Sequence, residues 1–182
     1  QCIPYCVLRC GPFDPADERA SGVFVTVRSR GQSEARLHHA HSIGLGGHVE
    51  PEDESPEQDG AAFFAAALQR ELREELWLPE QLPAPQLCGL VNDDATEVGS
   101  VHTGLVYTLD LPLPLAAARE QIGVREIAKM EGRWASLVEF RALWQTPTRF
   151  ESWSQFVIEA GTVGAMGGRS WHGPTAVIRS QP

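Results

Sequence analysis

Apolar and polar positions along the chain fall into short blocks that predict alternating strands and helices. Ile3 to Arg9 and Gly22 to Ser29 are β-rich runs. The Gly-Pro and Asp-Pro steps between Gly11 and Asp17 separate them, so the pair reads as two strands joined by a loop. Gly31 to Ala40 is polar and reads as loop, and His41 to Leu45 as a short strand entering Gly46-Gly47. Pro51 to Gly60 is acidic, turn-rich and without period, the pattern of a surface loop. From Ala61 to Leu76 strong helix formers run unbroken by Gly or Pro, with Asp59 placed as N-cap. Leu68, Leu72 and Leu76 supply its core-facing stripe.

Beyond Pro79, Pro83 and Pro85, strands are expected at Leu87 to Val91 and Val101 to Leu111, with Asn92-Asp93-Asp94 as a polar hinge. A helical turn follows at Ala116 to Gln121, a strand at Met130 to Ala135, and helices at Leu137 to Trp144 and Phe150 to Ala160. The Gly- and Ser-rich tail, 161–182, reads as irregular. This alternation predicts an α/β (or α+β) domain with a mixed sheet between helices, 1–182 forming one unit.

Lys and Arg number 15 against 24 Asp and Glu, a net charge of −9. Nucleic-acid polymers are bound by neutralising phosphates with basic side chains, so that class of partner is not expected. No apolar run approaches the roughly 18–20 residues that span a bilayer, so no membrane role is expected either. The first residues lack the basic-then-apolar pattern of a secretory leader, and the cytoplasm is the expected compartment. Cys2, Cys6 and Cys10 recur every fourth residue, which places them on one face of an extended strand. Without a CxxC pair they read, with Cys88, as small thiols rather than a metal site.

The chemistry concentrates in Arg70-Glu71-Leu72-Arg73-Glu74-Glu75. Glu71, Glu74 and Glu75 stand at i, i+3 and i+4 and share one helix face. Like charges about 4 Å apart repel by roughly 4 kcal/mol at an effective dielectric near 20. They also lie toward the helix C-terminus, where the macrodipole disfavours negative charge. Two explanations stay open on the residues alone. One is a solvated acidic face balanced by Arg70 and Arg73. The other is a site for a hard divalent cation, Mg²⁺ or Mn²⁺, which takes carboxylate oxygens and brings substrate phosphates with it.

With Ser42-Ile43-Gly44-Leu45-Gly46-Gly47-His48-Val49-Glu50 ahead of it, the segment resembles the Nudix box, spanning 46–78. Gly47 takes the glycine position, Asp53 stands where the first Glu is expected, and Arg70 to Glu75 fills the central Arg-Glu-Leu-x-Glu-Glu. Two features depart from the pattern. Sixteen residues, Glu54 to Gln69, separate the first acid from the Arg where the family has seven, an inserted loop at about 54–60. Trp77 replaces the glycine expected near the helix C-terminus, which disfavours a left-handed cap and predicts that the chain leaves the helix ahead of Pro79. Glu34-Ala35-Arg36-Leu37, Gly89 to Asp94, Val98 to His102, Met130 to Trp134 and Glu151 to Ser154 are similar to a subgroup of uncharacterised Nudix phosphohydrolases.

The resemblance implies an α/β/α sandwich with a mixed central sheet, in which the box forms a loop-helix-loop. It implies Glu71, Glu74 and Glu75 as ligands for Mg²⁺ or Mn²⁺, with the Gly46 carbonyl beside them and Arg70 pairing with Asp53 or a helix glutamate. The implied reaction is hydrolysis of a diphosphate linkage in a nucleoside diphosphate derivative or similar small molecule. Gly47 and His48 are the expected substrate contacts. The general base is expected among the box glutamates or in a later loop, at Glu131 or Glu126. Asp93, Asp94 and His102 read as structural, and Trp134, Trp144 and Trp153 as core aromatics. A non-catalytic nucleotide-binding or sensor module stays open, as does a homodimer. An isoprenoid-diphosphate isomerase would want a poised cysteine, for which Cys88 is the candidate outside the N-terminal run.

Overall fold

The computed structural model describes residues 1–13, 17–28, 40–54, 59–125, 127, 130–164 and 176–179. Ten strands and five α-helices follow one another in it: β1 (Cys2–Cys10), β2 (Gly22–Arg28), β3 (His41–Ser42), β4 (Gly44–Leu45), α1 (Gly60–Glu75), β5 (Leu76–Trp77), β6 (Gln86–Asn92), α2 (Glu97–Ser100), β7 (Thr103–Leu111), α3 (Leu115–Gln121), β8 (Gly123–Val124), β9 (Met130–Ser136), α4 (Leu137–Trp144), α5 (Ser152–Glu159) and β10 (Ala176–Arg179).

The main sheet is mixed and runs β10-β6-β7-β1-β2-β3, with β4 also on β1 and β9 also on β2. β1 lies parallel to β7 along its whole length, from Cys2 opposite Thr103 to Cys10 opposite Leu111. β1 and β2 pair antiparallel at Arg9–Val23 and Cys10–Gly22 and then part. The short strands fill the gap: β4 pairs with β1 at Cys6 and Val7, and β3 with β2 at Thr26 and Val27. Gly46 and Gly47 follow directly from this wedge.

Alternation along β1 divides the core. Cys6, Leu8 and Cys10 face one layer, where Leu68, Leu72 and Leu76 of the α1 region and Leu115 and Ala118 of α3 are buried. Tyr5 and Val7 face the other, with Leu137 and Phe140 of α4 and Val157 and Ile158 of α5. The result is the expected helix-sheet-helix sandwich. Cys6, Cys10 and Cys88 are buried free thiols and Cys2 is exposed. Trp134 is buried in the layer shared by α1 and α3, while Trp144 and Trp153 pack partly buried on the opposite face. No helix among the described residues is long and apolar enough to cross a membrane.

Several expectations change. The tail read as irregular contributes β10, whose Ala-Val-Ile-Arg run pairs parallel with β6 from Ala176–Gly89 to Arg179–Asn92. Val101 precedes β7 and is exposed, because the four-residue helix α2 occupies the stretch before it; one turn leaves no periodicity to read. Pro51–Asp53 forms a 3-10 turn in which Asp53 is buried, so the acidic loop is not wholly surface. The loop at 31–39, including Glu34 to Leu37, and most of the insertion, 55–58, lie outside the described residues.

Candidate active site

Asp59 caps α1, its carboxylate accepting from Ala62 N at 2.8 Å, and the leucine stripe fixes the rotation of the helix against the sheet. That rotation sets Glu71 and Glu75 half-buried on the flank and leaves Glu74 exposed. The opposing wall is the glycine loop. Gly46 has φ +140, and a Cβ there would fall 2.1 Å from the Pro4 carbonyl. A Cβ on Gly47 would fall 2.5 Å from Glu71 Cδ, so only a glycine lets the main chain approach the carboxylate this closely.

Arg70 joins the loop to the helix. Its Nε donates to Asp53 Oδ1 at 2.9 Å and its Nη2 to Asp53 Oδ2 at 3.0 Å, a two-pronged pair across the insertion. Nη2 also donates to the His48 carbonyl at 2.8 Å. Nη1 reaches Glu71 Oε1 at 3.0 Å and Glu74 Oε1 at 3.3 Å. Asp53 in turn accepts from Glu50 N at 2.8 Å, which closes the turn.

The bonds to Arg70 hold the Asp53 carboxyl below the usual carboxylate range. Burial pushes the Glu71 carboxyl up; the Arg70 guanidinium opposes this, and the charges of Glu74 and Glu50 add to it. Burial, more than its acidic neighbours, is what Arg70 fails to offset at Glu71. Glu50 joins the acidic group although its place in the loop gave no signal beyond its nearness to Asp53.

A hard divalent cation fits this donor set in chemistry: three carboxylates on one face, a glycine loop pressed against one of them, and a local surplus of negative charge. The side chains do not yet converge. Among the described residues, no group of three or more His, Cys, Asp or Glu is placed to hold a metal ion, and Arg70 occupies one oxygen each of Glu71 and Glu74.

His48 is exposed beside Gly47, and its ring meets that of His102 edge to face, centroids 6.1 Å apart. His102 sits just ahead of β7 rather than on it, in a turn held by Asn92, whose Nδ2 donates to the carbonyls of Gly99 at 3.0 Å and His102 at 2.8 Å. Its approach to the glycine loop was not expected, because it depends on the α2 turn. Asp93 is buried and accepts from Ala95 N at 3.1 Å, a structural role as read.

Glu131 stands apart. It is exposed on β9 opposite Val27, and the alternation that buries Met130 and Trp134 in the layer of α1 and α3 turns it to the other face of the sheet. This geometry gives no support to Glu131 as the base, and Glu126 lies outside the described residues. Cys88 is buried on the face away from α1, its Sγ 3.4 Å from Thr108 Oγ1, which removes the ground for an isomerase.

Trp77 shows how the box ends without its glycine. The chain leaves α1 in extended conformation at Leu76, φ −127 and ψ 150, and β5 pairs with β8. Arg125 N donates to the Glu75 carbonyl at 2.7 Å and its Nη1 to the Arg73 carbonyl at 2.9 Å, which satisfies the helix end. The same guanidinium lies 4.7 Å from the centre of the Trp77 ring.

No family model matches the chain. Protein YmaB of Bacillus subtilis strain 168 is 37% identical over 164 residues, covering 87% of this chain and 69% of YmaB. The crystal structure of Tm1382, named as a candidate Nudix hydrolase, superposes with a TM-score of 0.57 at 27% identity. That match covers 85% of this chain and 66% of Tm1382, so the chain spans just under two thirds of that protein. A NUDIX hydrolase from Alicyclobacillus acidocaldarius shares the fold, with a TM-score of 0.63 at 12% identity over 94% of this chain and 97% of that one. With the box residues assembled as described, the chain belongs to the Nudix family.

Proposed function

We propose that the protein is a divalent-metal-dependent hydrolase that cleaves a diphosphate linkage in a nucleoside diphosphate derivative or similar small molecule, with Mg²⁺ or Mn²⁺ as cofactor. The observation that carries this reading is the assembly around Arg70: across the sixteen residues between them its guanidinium still locks onto Asp53, while Glu71 and Glu74 are drawn to its other nitrogen. A merely solvated acidic face has no use for that organisation.

In this reading Glu71, Glu74 and Glu75, with the Gly46 carbonyl, hold the cation. When bound, the cation supplies neutralisation of phosphate charge and a more acidic water. Arg70 keeps the carboxylates oriented through Asp53. Gly47 and His48 line the substrate's diphosphate, and one of the box glutamates takes the proton from the attacking water. The substrate is a small molecule in the cytoplasm, in keeping with the free thiols and the net charge of −9.

Phosphate release from a panel of nucleoside diphosphate compounds, with Mg²⁺, with Mn²⁺ and with chelator, tests the reading. Turnover should need the metal and should fall at least about a hundredfold in Glu74→Gln, the scale of a lost electrostatic element at a reacting centre. Equal turnover by parent and variant would remove the catalytic assignment. The hold of Arg70 on Glu71 and Glu74 favours a second reading, a non-catalytic nucleotide sensor. Tight metal-independent nucleotide binding without turnover on any compound would establish that one instead.

A further inference from the structure

Glu151 opens α5 on the face of the sheet away from α1, yet it is bonded to the strands that carry the glycine loop. One carboxylate oxygen, Oε1, gathers three hydroxyls: Ser42 Oγ at 2.5 Å, Tyr5 Oη at 3.2 Å and Ser154 Oγ at 3.2 Å. Tyr5, Ser42 and Ser154 are all buried. Tyr5 Oη and Ser154 Oγ also lie 2.7 Å apart. The main chain hangs from the same cluster. Ile43 N donates to Ser154 Oγ at 3.0 Å, Gly44 N to Ser42 Oγ at 3.1 Å, and Glu151 N to the His41 carbonyl at 3.0 Å.

Tyr5 and Ser42 support the glycine loop directly. The Tyr5 ring lies against Gly44, where a Cβ would fall 1.9 Å from Tyr5 Cζ, and its neighbour Pro4 puts its carbonyl against Gly46. Ser42 ends β3, Gly44 opens β4, and Leu45 leads straight into Gly46 and Gly47. Gly47 in turn rests on the Glu71 carboxylate. A path of contacts therefore runs from Glu151, through Tyr5 and Ser42, to the wall that faces the box glutamates. Setting a carboxylate among buried hydroxyls is a costly way to fill a core. What a satisfied network of this kind does is fix one arrangement of the groups it holds.

We infer that Glu151 is a positioning residue for the candidate active site, holding Gly46 and Gly47 in place against Glu71 from the opposite side of the sheet. It touches neither substrate nor cation and acts through Tyr5 and Ser42. The inference rests on the hydrolase reading and adds to it a residue that lies far outside the box.

The test compares the parent with Glu151→Ala, Glu151→Gln, Tyr5→Phe and Val157→Ala. Val157 is a buried residue of α5 whose truncation weakens the same helix without touching the cluster. Three quantities are measured well below the melting temperatures: hydrogen exchange in the peptide 43–48, Mn²⁺ binding from the EPR signal of the free ion, and turnover with Mg²⁺. Glu151→Ala should speed exchange in that peptide at least about tenfold, since its local opening becomes easier. It should also weaken Mn²⁺ binding and lower kcat, each about tenfold, as a displaced wall would. Tyr5→Phe keeps the ring against Gly44 and loses only the hydroxyl, so it should move all three the same way by less. Glutamine still offers an oxygen to the hydroxyls and should recover most of each loss. Val157→Ala should lower the melting temperature and leave all three near the parent's values. Should Glu151→Ala not fold, Tyr5→Phe carries the test on the same criteria. Exchange, Mn²⁺ affinity or kcat that does not move, no recovery with glutamine, or equal losses in Val157→Ala would overturn the inference and leave the hydrolase reading standing. A parent that binds no Mn²⁺ and turns over no diphosphate would remove the hydrolase reading and the inference with it.

Discussion

Arg70 grips Asp53 with two nitrogens on two oxygens, at 2.9 and 3.0 Å, although the residues stand seventeen apart in the chain. Asp53 is one methylene shorter than the glutamate the box expects, yet the pair forms. The 3-10 turn at Pro51–Asp53 carries the aspartate inward to 4% side-chain exposure, which makes up the missing reach.

Asp53→Ala leaves the Arg70 guanidinium without its main partner in a largely buried setting. Removal of one member of such a pair costs about 3 kcal/mol, which denaturant melts at neutral pH should show. The folded-state pKa of Asp53 is depressed, so its contribution is complete above the unfolded value and is lost as pH falls through the folded one. In the parent, stability should therefore decline with acid below about pH 4, near an unperturbed aspartate, and Asp53→Asn should flatten that limb.

Glu71 has the opposite sign. Its raised pKa means that ionisation costs stability, so its favourable contribution is present below the unfolded value and fades as pH rises through the folded one. Glu71→Gln should thus melt at or above the parent temperature at pH 7 without metal. Mg²⁺ should raise the melting temperature of the parent by binding the folded state, and should do so far less in Glu71→Gln. A variant that keeps the full metal response would remove Glu71 from the ligand set.

Gly47→Ala separates fold from function. The added methyl group meets the far end of a flexible side chain, so the carboxylate swings away rather than the loop unfolding. The melting temperature should shift little while metal-dependent turnover drops about tenfold or more, the sensitivity expected when a reacting group is misplaced by about 1 Å.

Restoring the family's glycine should not help. Trp77 lies in an extended strand where glycine offers no conformational gain, and Trp77→Gly loses the contact with Arg125. A destabilisation of about 1 kcal/mol is expected from the strand glycine and the lost contact, with kcat unchanged, as thermal melts and turnover would show.

What was legible in the sequence was what local period and composition encode. The leucine stripe gave the rotation of α1, Asp59 its start, and the box spacing the glutamates that share one helix face. The rest depends on how distant segments meet. Nothing in Glu54 to Gln69 says that a longer path still brings Asp53 to Arg70. His102 reaches His48 only because a one-turn helix and Asn92 fold back ahead of β7. The direction of Glu131 is not legible either, because spacing does not tell which face of β9 a residue takes until Met130 and Trp134 are known to be buried. β10 hides in a Gly-rich tail because four residues are too few to outweigh their flanks.

The end of α1 is finished by residues about fifty positions further on: Gly123 and Val124 pair with β5, and Arg125 takes the carbonyls of Arg73 and Glu75. A ribosome making this chain from the N-terminus releases the glutamates long before it releases their clasp. The acidic helix therefore waits, its last turn open, until Arg125 emerges, and a product terminated ahead of Gly123 would carry every box carboxylate on a helix that nothing closes.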